Sequence, residues 1–469
     1  MNLDRNKVSR RRFLGQASCV GLGSTAFFSS ILNLKALGSI TSPNSLVGSS
    51  DYKALVCVFL RGGNDSFNML MPRSDSEYAD YQTSRTDLAI AQNDMLPLNF
   101  TDTDGRIYGL HPEMGRVQSL FNAGEIAFVA NVGTLVEPVS KAAIDSVGKS
   151  VLPRNLFSHS DQAMQWQTSL PDQMSRSGFA GRLADLLHAS KNEGPTSMNI
   201  SLAGNNVFQT GNKTVAYAIS RNGLAPSIKA YDQNYHLSRV KTEAINDLME
   251  ATYQDLFRDT FADMLEESVD NNTAFQTAMV EAPEFKTDFS DTAISEQFQS
   301  IAKVISVREK LGMKRQTFFV NFGGWDHHDN TLSRQADMLA VLSDALGEFN
   351  AALKEIGMHE QVTTFTASDF GRTLTSNGRG SDHAWGGNQI IMGGAVDGKR
   401  IFGNYPSLAL RSELDIGRGR LIPTVSTDEY FAELALWFGA NRSDLDVLLP
   451  NIDRFYDPRS GISPLGVLS

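Results

Sequence analysis

The chain has 469 residues, 41% of them hydrophobic, and a formal net charge of −11. That length suits two or three domains, or one large α/β domain carrying long insertions. The acidic balance, with no concentrated basic patch, argues against nucleic acid or an anionic lipid surface as a partner, and two cysteines are too few for a thiolate metal cluster.

Ser9-Arg10-Arg11-Arg12-Phe13-Leu14 places paired arginines before an uncharged stretch, Gly15 to Asn33, and Ala36-Leu37-Gly38 supplies a small-x-small cleavage signal. Charged, apolar and small-residue regions in that order read as a twin-arginine signal peptide over residues 1–38. Gly and Ser interrupt the apolar stretch, so no stable membrane span is expected. Removing the segment takes six of the 42 basic residues and one of the 53 acids, which leaves 36 against 52 and a net charge of −16. The expectation is a periplasmic or extracellular protein in which residues 39–469 fold as a single domain. Cys57 lies in an apolar run with no intrachain partner, so a buried, inert thiol is expected there.

Short apolar runs predict strands at 53–60, 126–132, 197–202, 316–322, 361–367 and 388–393, each of a length that suits burial on both faces. Helices are predicted between them. Residues 113–123 follow Pro112 and stop at Gly124; 331–356 repeat apolar residues every three or four positions; 428–438 follow Thr427 and stop at Gly439. The alternation predicts an α/β fold with a central, mostly parallel sheet and helices on both faces. Residues 68–110 (polar and turn-rich) and 203–290 (with a charged helical stretch over about 237–270) break this rhythm and read as insertions.

In open α/β sheets, ligands bind beyond the carboxyl ends of the strands. Acids and histidines collect in such loops here: Arg61-Gly62-Gly63-Asn64-Asp65-Ser66, Gly323-Gly324-Trp325-Asp326-His327-His328-Asp329, Ser368-Asp369-Phe370-Gly371-Arg372 and Ser381-Asp382-His383. Ser158-His159-Ser160-Asp161 precedes a further helix. Of eight histidines, His159, His327, His328 and His383 sit in these acidic loops and His111 lies beside Pro112. Imidazole and carboxylate without thiolate suit a divalent metal ion, and Asp326 and His328, two apart in a loop, are placed to face one ion. Each segment also has a plainer reading: a turn at Gly63–Ser66, a hydrogen-bonded loop at Trp325–His328, and helix caps at Asp369 and Ser160. Neither the Gly-x-Ser-x-Gly elbow of Ser–His–Asp hydrolases nor a Gly-x-Gly-x-x-Gly dinucleotide loop is present.

Together with Leu110-His111-Pro112, Trp166-Gln167 and Leu448-Leu449-Pro450-Asn451, these motifs resemble the bacterial family known as domain of unknown function 1501 over nearly the whole chain after the signal. The resemblance implies the alkaline phosphatase and sulfatase superfamily, whose members use metal ions and a Ser, Thr or modified Cys nucleophile. On that resemblance Asp326, His328 and His383 hold one ion, with Zn, Mn, Ca or Mg as candidates. Asp65 (or Asn64) and Asp369 complete or bridge a second, although Phe370 stands where that site expects a histidine. Ser158, with His159 beside it, takes the nucleophile's place in chain order, and Arg61 or Arg372 binds the anionic group. The implied function is an exported metal-dependent hydrolase of a small phosphate or sulfate ester. The alternative is a catalytically inactive envelope protein that keeps the fold and binds an exported protein partner.

Overall fold

The computed structural model describes residues 51–147, 152–225, 228, 229 and 231–469. The signal-peptide expectation over residues 1–38 therefore lies outside the described residues. In chain order the strands are β1 (Lys53–Arg61), β2 (Leu70–Pro72), β3 (Leu96–Thr101), β4 (Ile107–Leu110), β5 (Ile126–Gly133), β6 (Asn199–Ser201), β7 (Tyr217–Ala218), β8 (Arg315–Gly323), β9 (Val362–Ser368), β10 (Arg372–Ser376), β11 (Ser381–His383), β12 (Gly387–Met392), β13 (Ile401–Phe402) and β14 (Val425–Ser426). Nine of them build one sheet in the order β13-β5-β12-β9-β1-β8-β6-β7, with β14 also beside β5.

Strand β1 shows why the sheet lies at the centre. Its side chains alternate faces, as a pleated strand requires. Ala54, Val56, Val58 and Leu60 enter one apolar core, and Leu55, Cys57 and Phe59 enter another. Helices Ala293–Ser306 and Thr331–Glu355 cover the first face, where Phe298 and Phe349 stack at 4.7 Å. Helices Phe179–Lys191 and Thr427–Phe438 cover the second, where Phe179 and Phe431 stack at 4.5 Å. The thiol of Cys57 is buried, and burial raises its pKa well above the usual value. No helix among the described residues is long and apolar enough to cross a membrane.

Register puts the functional loops on one rim. β1 pairs in parallel with β8 up to Arg61↔Gly323 and with β9 up to Leu60↔Ser368, so three strands end level. β12 runs antiparallel to β5 and β9, while every other pairing in the sheet is parallel. The reversal means that β12 starts on the rim where its neighbours end. The segment before it, including the β10–β11 hairpin, stays there too.

Three boundaries differ from the sequence reading. Helix Thr427–Phe438 is capped by Ser426 rather than Thr427, because Ser426 and Glu429 form a reciprocal capping box. The charged stretch over 237–270 is two helices, His236–Glu250 and Leu256–Val280, since Asp255 starts the second by accepting the Arg258 N–H. Helix His159–Thr168 begins at His159, leaving Ser160 inside its first turn instead of at the cap. The 68–110 region forms the small antiparallel sheet β2-β4-β3, and its Met69, Leu70, Met71, Tyr81 and Leu110 join the first core.

Candidate metal centre

The loop after β1 has to be thin. Gly62 (φ +120°) and Gly63 (φ +84°) take conformations that favour glycine, and a Cβ on Gly62 would stand 2.6 Å from the Asp326 amide nitrogen. This close approach lets the Arg61 carbonyl accept the N–H groups of Gly324 (3.1 Å) and Trp325 (3.2 Å), which sets the β8 loop against the β1 loop. Arg372 ties the same loops from below. Its guanidinium donates to the carbonyls of Gly63 (2.9 Å), Gly62 (2.5 Å), Ser381 (3.0 Å) and Trp325 (3.3 Å), and also to Asp326 Oδ1.

Asp326 is the focus of the site. Around its Oδ1 stand His328 Nε2 at 3.0 Å, His159 Nε2 at 3.3 Å and His383 Nε2 at 3.5 Å. Among the described residues, His159, Asp326 and His383 form a group whose ligand atoms all lie within 4.8 Å of one another. His328 Nε2 adds a fourth donor, 3.0 Å from His383 Nε2. The other nitrogen of each ring is engaged. His159 Nδ1 meets Asp369 Oδ2 at 2.7 Å, His328 Nδ1 meets Asp382 Oδ1 at 3.1 Å, and His383 Nδ1 meets the Phe157 carbonyl at 2.8 Å. Carbonyl and carboxylate oxygens accept, so a neutral ring that donates from Nδ1 keeps its Nε2 lone pair for a ligating role, while the Asp326 oxygen and the His328–His383 contact can take an Nε2 proton in the other tautomer. Outer partners of this kind are what metal-bound histidines carry.

The electrostatics agree. Burial opposes ionisation of Asp326, but the Arg372 guanidinium, with His159 and His328, brings its carboxyl below the usual value. Burial above all, with Arg372 adding to it, lowers the His383 pKa despite the Phe157 carbonyl and Asp326, which keeps the ring neutral near pH 7. Asp382 is brought down to about 2, against its partial burial, by Asn377, Arg418 and His328. Asp326 and His328 keep 46% and 45% of their side-chain surface, so the cluster is reachable from solvent.

The structure sorts the sequence candidates. Asp326, His328, His383 and His159 come together, with His159 as a donor to the cluster rather than a base beside Ser158. Asp369 is 1% exposed and accepts from Gly62 N–H (3.1 Å) and from His159, whose ring it orients. Asp65 stands apart: its carboxylate pairs with buried Arg85 at 2.5 Å and accepts from Ser381 at 3.2 Å. Arg372 has no exposed side-chain surface and spends its N–H groups on the loops, which leaves it nothing for a substrate. Ser158 donates its hydroxyl to Asp161 at 2.5 Å. Phe370 packs its ring 4.6 Å from both His159 and His383. Sequence reasoning missed Asp382 as the partner of His328, although it adjoins His383, and Phe157, whose contribution is a backbone carbonyl that no sequence pattern marks.

The family described as "Protein of unknown function (DUF1501)" matches residues 52–418. No curated protein matches the chain. Similar solved structures include the C-terminal periplasmic domain of EcEptC from Escherichia coli in complex with Zn (8% identity, 90% of this chain and 93% of that one, TM-score 0.35). The lipoteichoic acid synthase LtaP from Listeria monocytogenes matches at 9% identity over 81% of this chain and 71% of that one, TM-score 0.32. The PsFucS1 sulfatase from Pseudoalteromonas sp. matches at 12% identity over 81% and 70%, TM-score 0.32.

Proposed function

This chain belongs to the DUF1501 family, whose description assigns no chemistry, and we propose from its own residues that it is an exported, single-metal hydrolase of a small phosphate or sulfate ester. The observation that carries the reading is the convergence of three imidazole Nε2 atoms on one solvent-reachable carboxylate oxygen. Three imidazoles and a carboxylate fit zinc or manganese better than calcium or magnesium, which take oxygen ligands. A divalent ion held there supplies a Lewis acid and lowers the pKa of a water molecule it holds.

The residues divide the remaining work. Arg372 keeps Asp326 ionised and aimed. Asp369, Asp382 and the Phe157 carbonyl hold the three rings with Nε2 inward. Phe370 closes the floor beneath His159 and His383. Arg61 is exposed at the end of β1 and has no hydrogen-bond or ion-pair partner for its side chain among the described residues. Its planar fork is assigned to the anionic group of the ester. With the Ser158 hydroxyl committed to Asp161, water is assigned as the attacking group: its oxygen bonds to phosphorus or sulfur as the ester oxygen leaves with a proton.

A second reading, an envelope binding or assembly protein without turnover, is favoured by the burial of Asp65 and Arg372 in structural pairings. Plasma mass spectrometry of exported, chelator-free protein separates the two when paired with aryl phosphate and aryl sulfate assays. About one equivalent of metal with ester turnover, both lost in Asp326→Ala/His383→Ala, is the expected result. Metal without turnover supports the binding protein, and a folded parent without metal overturns the metal centre itself.

A further inference from the structure

Two of the three histidines are held by partners that a single distant loop supports. Asp382, which fixes His328, also pairs through Oδ2 with Arg418 at 2.7 Å. Phe157, whose carbonyl fixes His383, lies under the Arg420 guanidinium at 5.1 Å from its ring centroid. Arg418 and Arg420 flank Gly419 on a loop that is itself tightly built. Buried Asp415 accepts the N–H groups of Arg411 (2.8 Å), Gly417 (2.7 Å) and Gly419 (2.8 Å). Four residues of the loop have positive φ: Arg411 (65°), Gly417 (113°), Arg418 (63°) and Gly419 (70°). A Cβ on Gly419 would meet the Leu374 side chain at 2.3 Å, and the Gly419 carbonyl accepts the Leu374 N–H at 3.2 Å, so the loop is fastened to β10. Non-glycine residues in that region of φ persist where the surroundings impose them, and they concentrate at working sites.

The residues that receive this support are themselves under constraint. Phe157 has φ +75°, and its N–H is taken by Gln162 Oε1 at 2.6 Å, which turns the carbonyl toward His383. Asp382 accepts from His328, Asn377 (3.1 Å) and Arg418 at once. An arginine that is half exposed and pairs with a carboxylate already in use adds little to fold stability, so its value lies in what the carboxylate does next.

We propose that the loop over residues 411–421 is the positioning element of the metal centre, with Arg418 acting on His328 through Asp382 and Arg420 acting on His383 through Phe157. The inference rests on the metal-centre reading above. Arg418 and Arg420 are positioning residues and touch no reacting atom. Losing an outer partner of a metal-bound histidine typically weakens metal affinity about 10–100-fold; that is the effect expected for Asp382→Asn, and the lower end of it, about 10-fold, is expected for Arg418→Met, which leaves Asp382 in place. Arg420→Met acts through a ring contact rather than a charge, and a smaller loss, of about 3–10-fold, is expected.

The test is competitive titration of the metal-free full chain with Zn²⁺, and with Co²⁺ to read ligand geometry from the visible spectrum. The proteins compared are the parent, Arg418→Met, Asp382→Asn, the double variant, Arg420→Met and Asp326→Ala. The relay predicts non-additivity: once Asp382 is changed, Arg418→Met costs no further affinity. Arg418→Lys, which keeps the charge, is expected to restore part of the affinity, and the metal-free variants are expected to melt within about 2 °C of the parent. Zn²⁺ binding by the parent, lost in Asp326→Ala but unchanged in Arg418→Met and Arg420→Met, overturns this inference and leaves the metal centre standing. Full additivity of Arg418→Met and Asp382→Asn also overturns it. No binding by the parent overturns the metal centre on which it rests.

Discussion

Two loops on the same rim begin alike and end differently. After β1 the chain reads Gly62-Gly63-Asn64-Asp65; from the last residue of β8 it reads Gly323-Gly324-Trp325-Asp326. Both acids find an arginine. Asp65 meets Arg85, delivered by the helix Asp75–Arg85, and the pair is sealed, with 1% and 0% of the side-chain surfaces exposed. Asp326 meets Arg372, which is equally buried, yet Asp326 keeps 46% of its own surface and turns it toward three imidazoles. The difference lies in what closes over the carboxylate. The 68–110 region packs into the first core, and Gly62–Ser66 of the β1 loop are buried, whereas Gly323, Asp326, His328 and Asn330 of the β8 loop are exposed. A Gly-Gly-x-Asp loop at a strand end thus marks a place for an acid, and the next layer of structure decides whether the acid serves stability or chemistry.

Exchanging the two acids for alanine breaks the comparison most directly. Asp65→Ala leaves the buried Arg85 with the Thr373 and Leu374 carbonyls, both on Nη1, and nothing on Nη2, and a loss of about 3 kcal/mol is expected from urea unfolding of the metal-free protein. Asp326→Ala leaves Arg372 four carbonyl partners, so its loss is expected to be about 1 kcal/mol while metal binding disappears. Equal stability losses for the two variants would show that Asp65 and Asp326 do the same job and that the division between the loops is wrong.

Much of this was legible in the sequence. The near-continuous apolar run at 53–60 suited a strand buried on both faces, and the rule that ligands gather at strand ends singled out the loops that do converge. The Asp326–His328 pairing followed from spacing alone. What was illegible depended on partners far away in the chain. Arg85 lies in a segment that reads as polar and turn-rich, so nothing marked it as the counter-charge of Asp65. In the sequence Arg372 reads as an anion binder because its planar fork suits a phosphate or sulfate group; only the crossing of three loops reveals that its N–H groups meet backbone carbonyls. His159 groups with Ser158, its neighbour in the chain, but its direction is set by Asp369, more than two hundred residues on. The Phe157 carbonyl depends on a φ of +75° that a phenylalanine gives no reason to expect.

A third carboxylate extends the comparison to the case where burial comes without a close counter-charge. Asp428 is fully buried in the first turn of helix Thr427–Phe438, and burial pushes its pKa up to about 8, with Arg182 and Ser169 offsetting only part of the effect. The sign of the consequence is fixed. Below the ordinary carboxyl range the group is protonated folded and unfolded alike and contributes no pH dependence. From there to about pH 8 the folded protein keeps a proton that the unfolded chain has released, so stability falls as pH rises, by at most about 1.4 kcal/mol per pH unit. Unfolding free energies of the metal-free protein between pH 5 and pH 8, compared with Asp428→Asn, check this: the variant is expected to lose that component of the slope. An unchanged slope would mean that Asp428 is ionised and paired in the folded state, like Asp65.

The smallest expected effect on stability belongs to the one group that the β1 loop leaves free. Arg61 is exposed and its side chain has no partner among the described residues, so Arg61→Met is expected to change unfolding free energy by less than about 0.5 kcal/mol and to leave metal affinity untouched. Its consequence is reserved for substrate. If the fork of Arg61 binds the anionic group, KM for an aryl phosphate or sulfate rises about 10-fold or more, which corresponds to a charge-assisted hydrogen bond of about 1.5–3 kcal/mol, while kcat changes little because the contact forms in the ground state as well as in the transition state. A fall in kcat with KM unchanged would instead place Arg61 against the charge that develops during the reaction. A variant unchanged in both would leave the β1 loop wholly structural, and the contrast between the two rim loops would then be complete.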